Sequence, residues 1–249
     1  MNDNTSFQRL SAVTAILAAL LAFGSGALGW AAMSGNMTFA LLADPSLMWA
    51  IAGLKADALR WSMILDIFGY YLLLAPLALW LWRWLEPKSP NLVRLCTFCG
   101  LAYLLIGAIG AAVLVAVAPP LINAYPQALS QQRDLLEVVF SGFINTVFLG
   151  LWNPLEIILG GVWWLGIGRL LHGERRWLAN LSLILGGFAL LDAAGRILNN
   201  TAVFAVGLSG VLLLIPIWAL VFGLSLLRQP ATPISQASSD KALTLGVMR

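Results

Sequence analysis

Histidine is almost missing from these 249 residues: His172 is the only one. A chain with a single imidazole cannot build a haem site or a multi-histidine metal site by itself. It also lacks a Ser-His-Asp arrangement, which leaves a carboxylate pair as the chemistry open to an enzyme. Cysteine is nearly as scarce, with Cys96 and Cys99 alone. A Cys-x-x-Cys pair can be a redox centre or half of a zinc site, but zinc takes about four ligands and there is no second pair. Two packed thiols are therefore the expectation, and no cofactor is expected.

Charge is the third shortage. Charged residues make up 10% of the chain, against roughly 25% in a soluble domain, whereas 60% are hydrophobic and the mean hydropathy is +0.88. No soluble core could hold so much apolar chain. The apolar runs are continuous and do not alternate, which disfavours a β-barrel and indicates an all-α polytopic membrane protein. The net charge of +3 gives no reason to expect nucleic acid, since the basic residues fall in short loops where topology explains them.

Six spans are expected, from about Leu10 to Met33, Trp61 to Trp84, Leu95 to Val117, within 140–171, Trp177 to Leu198 and Val203 to Leu227. The six-helix domain covers 10–228, after a polar cytoplasmic tail over 1–9 and before a disordered cytoplasmic tail over 229–249, rich in Ser, Pro, Ala and Gln. The first run exceeds the roughly 7–15 residue core of a signal peptide and is kept as a span. Two longer segments lie at the outer interface, 34–60 and 121–140. In the first, Asp44-Pro45 reads as a helix start, with Leu47, Met48, Ile51 and Leu54 following at helical spacing.

Several local features carry expectations. Gly24, Ser25, Gly26, Ala27 and Gly29, and later Gly100, Gly107, Gly110 and Ala111, offer small-residue surfaces for close helix contact. Trp80, Trp82 and Trp84 fit an interfacial belt. Pro76 can kink its span, and Ala118-Pro119-Pro120 should end the third. The run from Phe140 to Leu171 would extend about 48 Å as a helix, too long for one ordinary span. A break at Ser141-Gly142 or Asn153-Pro154 is expected, or else tilt.

Lysine and arginine orient the molecule. Counted by alternate loops, one side holds Arg9, Arg83, Lys88, Arg94, Arg169, Arg175, Arg176, Arg228, Lys241 and Arg249. The other holds Lys55, Arg60, Arg133 and Arg196. The positive-inside rule then puts both termini in the cytoplasm and the two longer segments outside, and the expected location is an inner membrane. On that orientation Asp66, Glu156 and Asp192 each lie roughly 7–11 Å below the outer boundary.

Charges within a span usually point inward, toward partners or water. Arg196 stands four residues after Asp192, on the same helical face, so one reading is a structural ion pair and two hydrogen-bonded acids. The sharper reading places Asp66, Glu156, Asp192 and Arg196 around one outward-opening polar cavity that binds a small solute or cation, or couples protons to solute movement. The rival is a non-catalytic accessory subunit that packs against another membrane protein through its glycine faces. Apart from the lipid bilayer, the partner is then a small solute or cation in the first case and that membrane protein in the second.

The pattern over about residues 8–228 resembles a bacterial family of six-span integral membrane proteins of unknown molecular function. The resemblance rests on the long outer segment before the second span, the Leu-Trp-Arg-Trp-Leu-Glu-Pro turn at 81–87, the Gly-Arg-Leu-Leu-His-Gly-Glu-Arg-Arg-Trp-Leu turn at 168–178 and Ile-Pro-Ile-Trp-Ala-Leu-Val-Phe-Gly in the last span. It implies six helices and no catalytic residues. A faint likeness between Arg60-Trp61 and Arg176-Trp177, each followed by a glycine eight or nine residues on, is too little for an inverted repeat.

Overall fold

The computed structural model describes residues 3–35, 41, 45–50 and 53–228. Among these there is no strand, and six helices are long and apolar enough to cross a membrane. They are α1 (Asp3–Ala32), α2 (Ala56–Leu85), α3 (Pro90–Ala124), α4 (Ser130–Leu171), α5 (Arg176–Ile197) and α6 (Thr201–Leu227). Each packs on the next along the chain, and α6 closes back on α1 to complete a ring.

Small side chains make this closure tight. Ala12, Ala15, Ala18, Ala19 and Ala22 form a fully buried stripe along α1. Gly223 of α6 lies so near the Ala12 carbonyl that even a methyl group would collide with it. Beside this contact the Gln8 side-chain amide donates to the Leu226 carbonyl at 3.0 Å. Between α1 and α2, the Ser11 hydroxyl reaches the Pro76 carbonyl at 3.0 Å. A serine oxygen thus takes part where backbone polarity would otherwise face hydrocarbon.

The centre of the ring is aromatic. Trp163, Trp164 and Trp218 are buried, and Trp163 meets Trp218 edge-on at 5.5 Å between ring centroids. Tyr103 meets Trp164 in the same way at 5.0 Å. Buried indole N–H groups usually find acceptors, and that of Trp218 donates to the Ser182 hydroxyl at 2.8 Å. Trp80, expected in an interfacial belt, instead turns into the bundle, while Trp84 lies beneath the Arg175 guanidinium at 4.9 Å.

Helix ends differ from the sequence expectation wherever proline was taken as a stop. The third span does not end at Pro119-Pro120: both prolines sit inside α3, which runs on to Ala124. The expected break in 140–171 is also absent. Helix α4 is continuous, but from Thr146 to Glu156 it widens into π-helix, with the Ile157 N–H reaching back to the Trp152 and Pro154 carbonyls. Pro76 has a related effect in α2, where a π turn over Ile67–Tyr71 and a 3₁₀ turn over Leu72–Leu74 precede it. The Leu72 carbonyl, which cannot receive a bond from Pro76, accepts one from the Ala75 N–H. In lipid a broken helix would leave such groups unpaired, so a change of winding costs less than an interruption.

The chain is already helical from Asp3, so residues 3–9 are the first turns of α1. In the first outer segment Pro45–Ala50 forms a 3₁₀ turn with Met48 buried against the bundle. Asp44 and Ile51, on which the expected amphipathic helix depends, lie outside the described residues, as do 229–249. The second outer segment is almost wholly helical, since α3 leads through a short turn into α4.

The close crossing of α1 and α2 gives a direct check on the packing. A methyl group at Gly69 would fall on the backbone of Ala22 in α1, whereas one at Gly187 would meet nothing within 4 Å. Gly69→Ala should therefore lower stability by about 1–3 kcal/mol and Gly187→Ala should not, as read from thermal unfolding in detergent. Equal effects would mean that α1 and α2 do not approach in this way.

Candidate functional site

Asp66 and Glu156 sit at the two irregular stretches just described. Asp66 is the last residue before the π turn of α2, and Glu156 is the last residue of the π segment of α4. Such segments often mark functional sites, and here the geometry shows a reason. Tyr71 follows Asp66 by five residues, which would put it well off the same face in an α-helix of about 3.6 residues per turn, but an i→i+5 turn brings the two back toward one side. Asp192 comes from α5, where Gly207 of α6 allows such close approach that an added methyl group would strike the Asp192 backbone.

The three acids meet. Asp66, Glu156 and Asp192, from three separate helices, line one cavity of about 100 Å³. Tyr71, Tyr103 and Asn153 complete its polar and aromatic wall, and α6 closes it with aliphatic side chains. Glu156 is within electrostatic reach of both other acids. The Tyr71 hydroxyl donates to the Glu156 carboxylate. Gly107 gives the Tyr71 ring the room it needs, because any side chain there would overlap the ring.

The acids differ in how well they are satisfied. Asp66 is half-buried, and Oδ1 accepts from the Ser25 hydroxyl at 3.4 Å, near the limit for such a bond. Ser62, one turn before Asp66, donates to the Ser25 carbonyl at 2.9 Å and so ties this corner of α2 to α1. Glu156 is 5% exposed and Asp192 0% exposed. Among the described residues, Glu156 Oε2, both Asp192 carboxylate oxygens and the Asn153 side-chain nitrogen have no hydrogen-bond partner. Three acceptor atoms and one amide donor are thus left open around the same small space.

Arg196 is not brought to the cavity. Its guanidinium lies over the Phe204 ring at 3.7 Å from the centroid. It acts on Asp192 electrostatically, as the four-residue spacing leads one to expect, but the Asp192 carboxylate accepts no hydrogen bond. An aromatic face one loop further on captures the guanidinium, a contact that same-helix spacing does not reveal.

A second, larger cavity of about 570 Å³ adjoins the first. The two share Asp66, Tyr70, Phe148, Trp152 and Leu212 as lining residues. Two of these are fixed by backbone acceptors: the Tyr70 hydroxyl donates to the Leu212 carbonyl at 3.0 Å and the Trp152 indole to the Gly107 carbonyl at 3.2 Å. The larger space lies toward the end of the bundle where α1 finishes and α2 begins, and Ala22, Gly29, Leu59 and Met63 help to line it.

The remaining candidates resolve into packing. Cys96 and Cys99 are buried free thiols, and Cys96 sits against Gly166, where no Cβ would fit. Among the described residues no group of three His, Cys, Asp or Glu side chains is placed to hold a metal. The glycine faces are largely taken up inside the bundle: Gly100 receives Trp163, Gly107 Tyr71 and Gly110 Trp152. Of the polar wall, Tyr71, Tyr103 and Asn153 were not legible as site residues, although Asn153-Pro154 does stand out as an irregularity.

Removing the Tyr71 hydroxyl would strip Glu156 of its donor and leave a buried acceptor unpaired. Tyr71→Phe should cost about 1–3 kcal/mol of stability. The cost should largely vanish in a Glu156→Leu background, where no acceptor remains. Thermal unfolding of the four proteins measures this coupling, and an undiminished loss in the double variant would show that the hydroxyl acts elsewhere. Compared with protein-family models, with curated proteins and with solved structures, the chain matches none of them.

Proposed function

We propose that this protein binds a small solute or cation at Asp66, Glu156 and Asp192 and carries it across a bacterial inner membrane. One observation carries the reading: Glu156 and Asp192 are buried with unfilled acceptor atoms facing a common cavity. An unsatisfied buried acceptor costs roughly 1–3 kcal/mol, and more if it is charged. A bundle that had only to fold would gain from apolar side chains at these positions. A bound cation, or a proton shared among the acids, supplies what the protein leaves out. Ionisable groups within a span mark solute and proton paths by default.

The surroundings suit movement as well as binding. The acids of α2 and α4 stand at changes of helical winding, where a helix can shift register at low cost because its hydrogen bonds are already irregular. The larger cavity lies toward the end that carries Lys55, Arg60 and Arg133, poorer in basic residues than the other. Under the positive-inside rule that end faces outward and both termini are cytoplasmic. The resemblance to six-span bacterial membrane proteins is consistent with this placement. A single-cysteine scan should find residue 88 labelled only from the cytoplasmic side and residue 133 only from outside; the reverse pattern would invert the molecule.

One observation favours an accessory role instead. The most apolar stretch of α4 is 17% buried within the chain, against 39–50% for the other five spans. That face is open to lipid or to another membrane protein, and a stoichiometric companion on purification in mild detergent would support the second.

The transport reading is tested by charge movement. Reconstituted in liposomes on a supported membrane, the protein should give transient currents on jumps of proton, Na⁺ or K⁺ concentration. Glu156→Gln and Asp192→Asn should each reduce the response about tenfold or more, equivalent to at least about 1.4 kcal/mol, with unchanged elution on size exclusion. Absent currents, or currents indifferent to both substitutions, would overturn it.

A further inference from the structure

The larger cavity calls for a ligand that the acid cluster alone does not. Its volume of about 570 Å³ falls within the roughly 300–1,000 Å³ typical of drug-sized ligand sites. An inorganic ion would leave it almost empty. The smaller cavity, at about 100 Å³, has room for an ion or a few waters and for no organic molecule.

The wall chemistry narrows the class. Among the described residues Asp66 is the one charged side chain lining the larger space, and Ser25, Ser62 and Ser209 supply hydroxyls; the other described lining residues are apolar or aromatic. Among the described residues no lysine or arginine lines it, so none of them would pair with an anion there. Three serines are too few to satisfy a sugar or a peptide, whose polar groups would be left unpaired. Phe23, Tyr70, Phe148 and Trp152 offer ring faces near the single carboxylate, a combination suited to an organic cation. A lipid tail would fill the space equally well but would leave the Asp66 carboxylate facing hydrocarbon.

The route in is also visible. Phe23, Gly26 and Ala27 of α1 and Ser209, Leu212 and Leu213 of α6 line the cavity and are all exposed. The same two helices are clamped at their other ends by Gly223 and by the Gln8–Leu226 hydrogen bond. They are thus held together at one side of the membrane and leave an apolar window between them toward the other.

We propose that the larger cavity takes an apolar organic cation of drug size, which enters from the bilayer between α1 and α6 and sets its positive centre against Asp66. This rests on the transport reading, because Asp66 also lines the small acid cavity and is the group through which the two compartments compete for positive charge. Occupation of the large space by the organic cation then displaces the small cation or proton from Asp66.

Tetraphenylphosphonium is a suitable probe, with triphenylphosphine oxide as a neutral companion. Equilibrium dialysis with the full-length protein in nanodiscs should show saturable tetraphenylphosphonium binding, at least about tenfold tighter than the neutral probe. Asp66→Asn should weaken it about tenfold or more, about 1.4 kcal/mol, and Asp66→Glu should restore most of it. Gly26→Phe should block it by volume: a Cβ at Gly26 meets nothing within 4 Å, so this variant keeps the test valid if Asp66→Asn does not fold.

No saturable binding, equal binding of both probes, or binding indifferent to Asp66→Asn and Gly26→Phe would overturn the proposal. If those results came with ion-evoked currents that still depend on Glu156 and Asp192, only the organic-cation assignment would fall. If the currents were absent too, the transport reading would fall with it.

Discussion

Hydrocarbon offers no partner to a peptide N–H or C=O, and nearly every feature of this molecule follows from that fact. It is why the described spans are helical from end to end, including places where the sequence carries strong helix breakers. Proline at 76 and at 154 removes a donor that no water can replace. The chain responds by rewinding: π and 3₁₀ turns re-pair the orphaned carbonyls while the helix continues. The two acids of α2 and α4 sit at the edges of these rewound stretches, so the means of tolerating proline also sets the direction in which the carboxylates point.

Much of the architecture could be read from the residues because bilayer thickness imposes a length on apolar runs. The spans of α5 and α6 fall within a residue or two of expectation, where Arg176, Asn199-Asn200 and Arg228 bound the apolar stretches sharply. The errors cluster at proline. Pro119-Pro120 and Asn153-Pro154 carry the sequence signature of termination, which is sound where water can satisfy the released groups and unsound where the alternative is an unpaired carbonyl in lipid. Trp80 was misplaced for another reason: an indole near a helix end suits either the headgroup region or a gap between helices, and only the positions of α1 and α3 decide which.

The acids themselves were legible from depth alone. Counting residues from the span ends puts Asp66, Glu156 and Asp192 at one level, and they do line one cavity. What spacing could not supply was rotation. Tyr71 reaches Glu156 only because a π turn intervenes, and Arg196 turns to Phe204 because α6 presents a ring there. The larger cavity had no sequence signal, since its walls come from α1, α2, α3, α4 and α6, which only the packed bundle brings together.

That closure of the ring by its first and last members has a consequence for biogenesis. Helix α1 is made before α6, yet its Ala12 carbonyl and the amide of Gln8 meet Gly223 and Leu226 of α6, a span that comes well after it in the chain. Until α6 is made, α1 must wait in the membrane with the seam that α6 covers still open. The window between the two helices can therefore take shape only once α6 has joined α1, which makes it the natural seam for both assembly and opening.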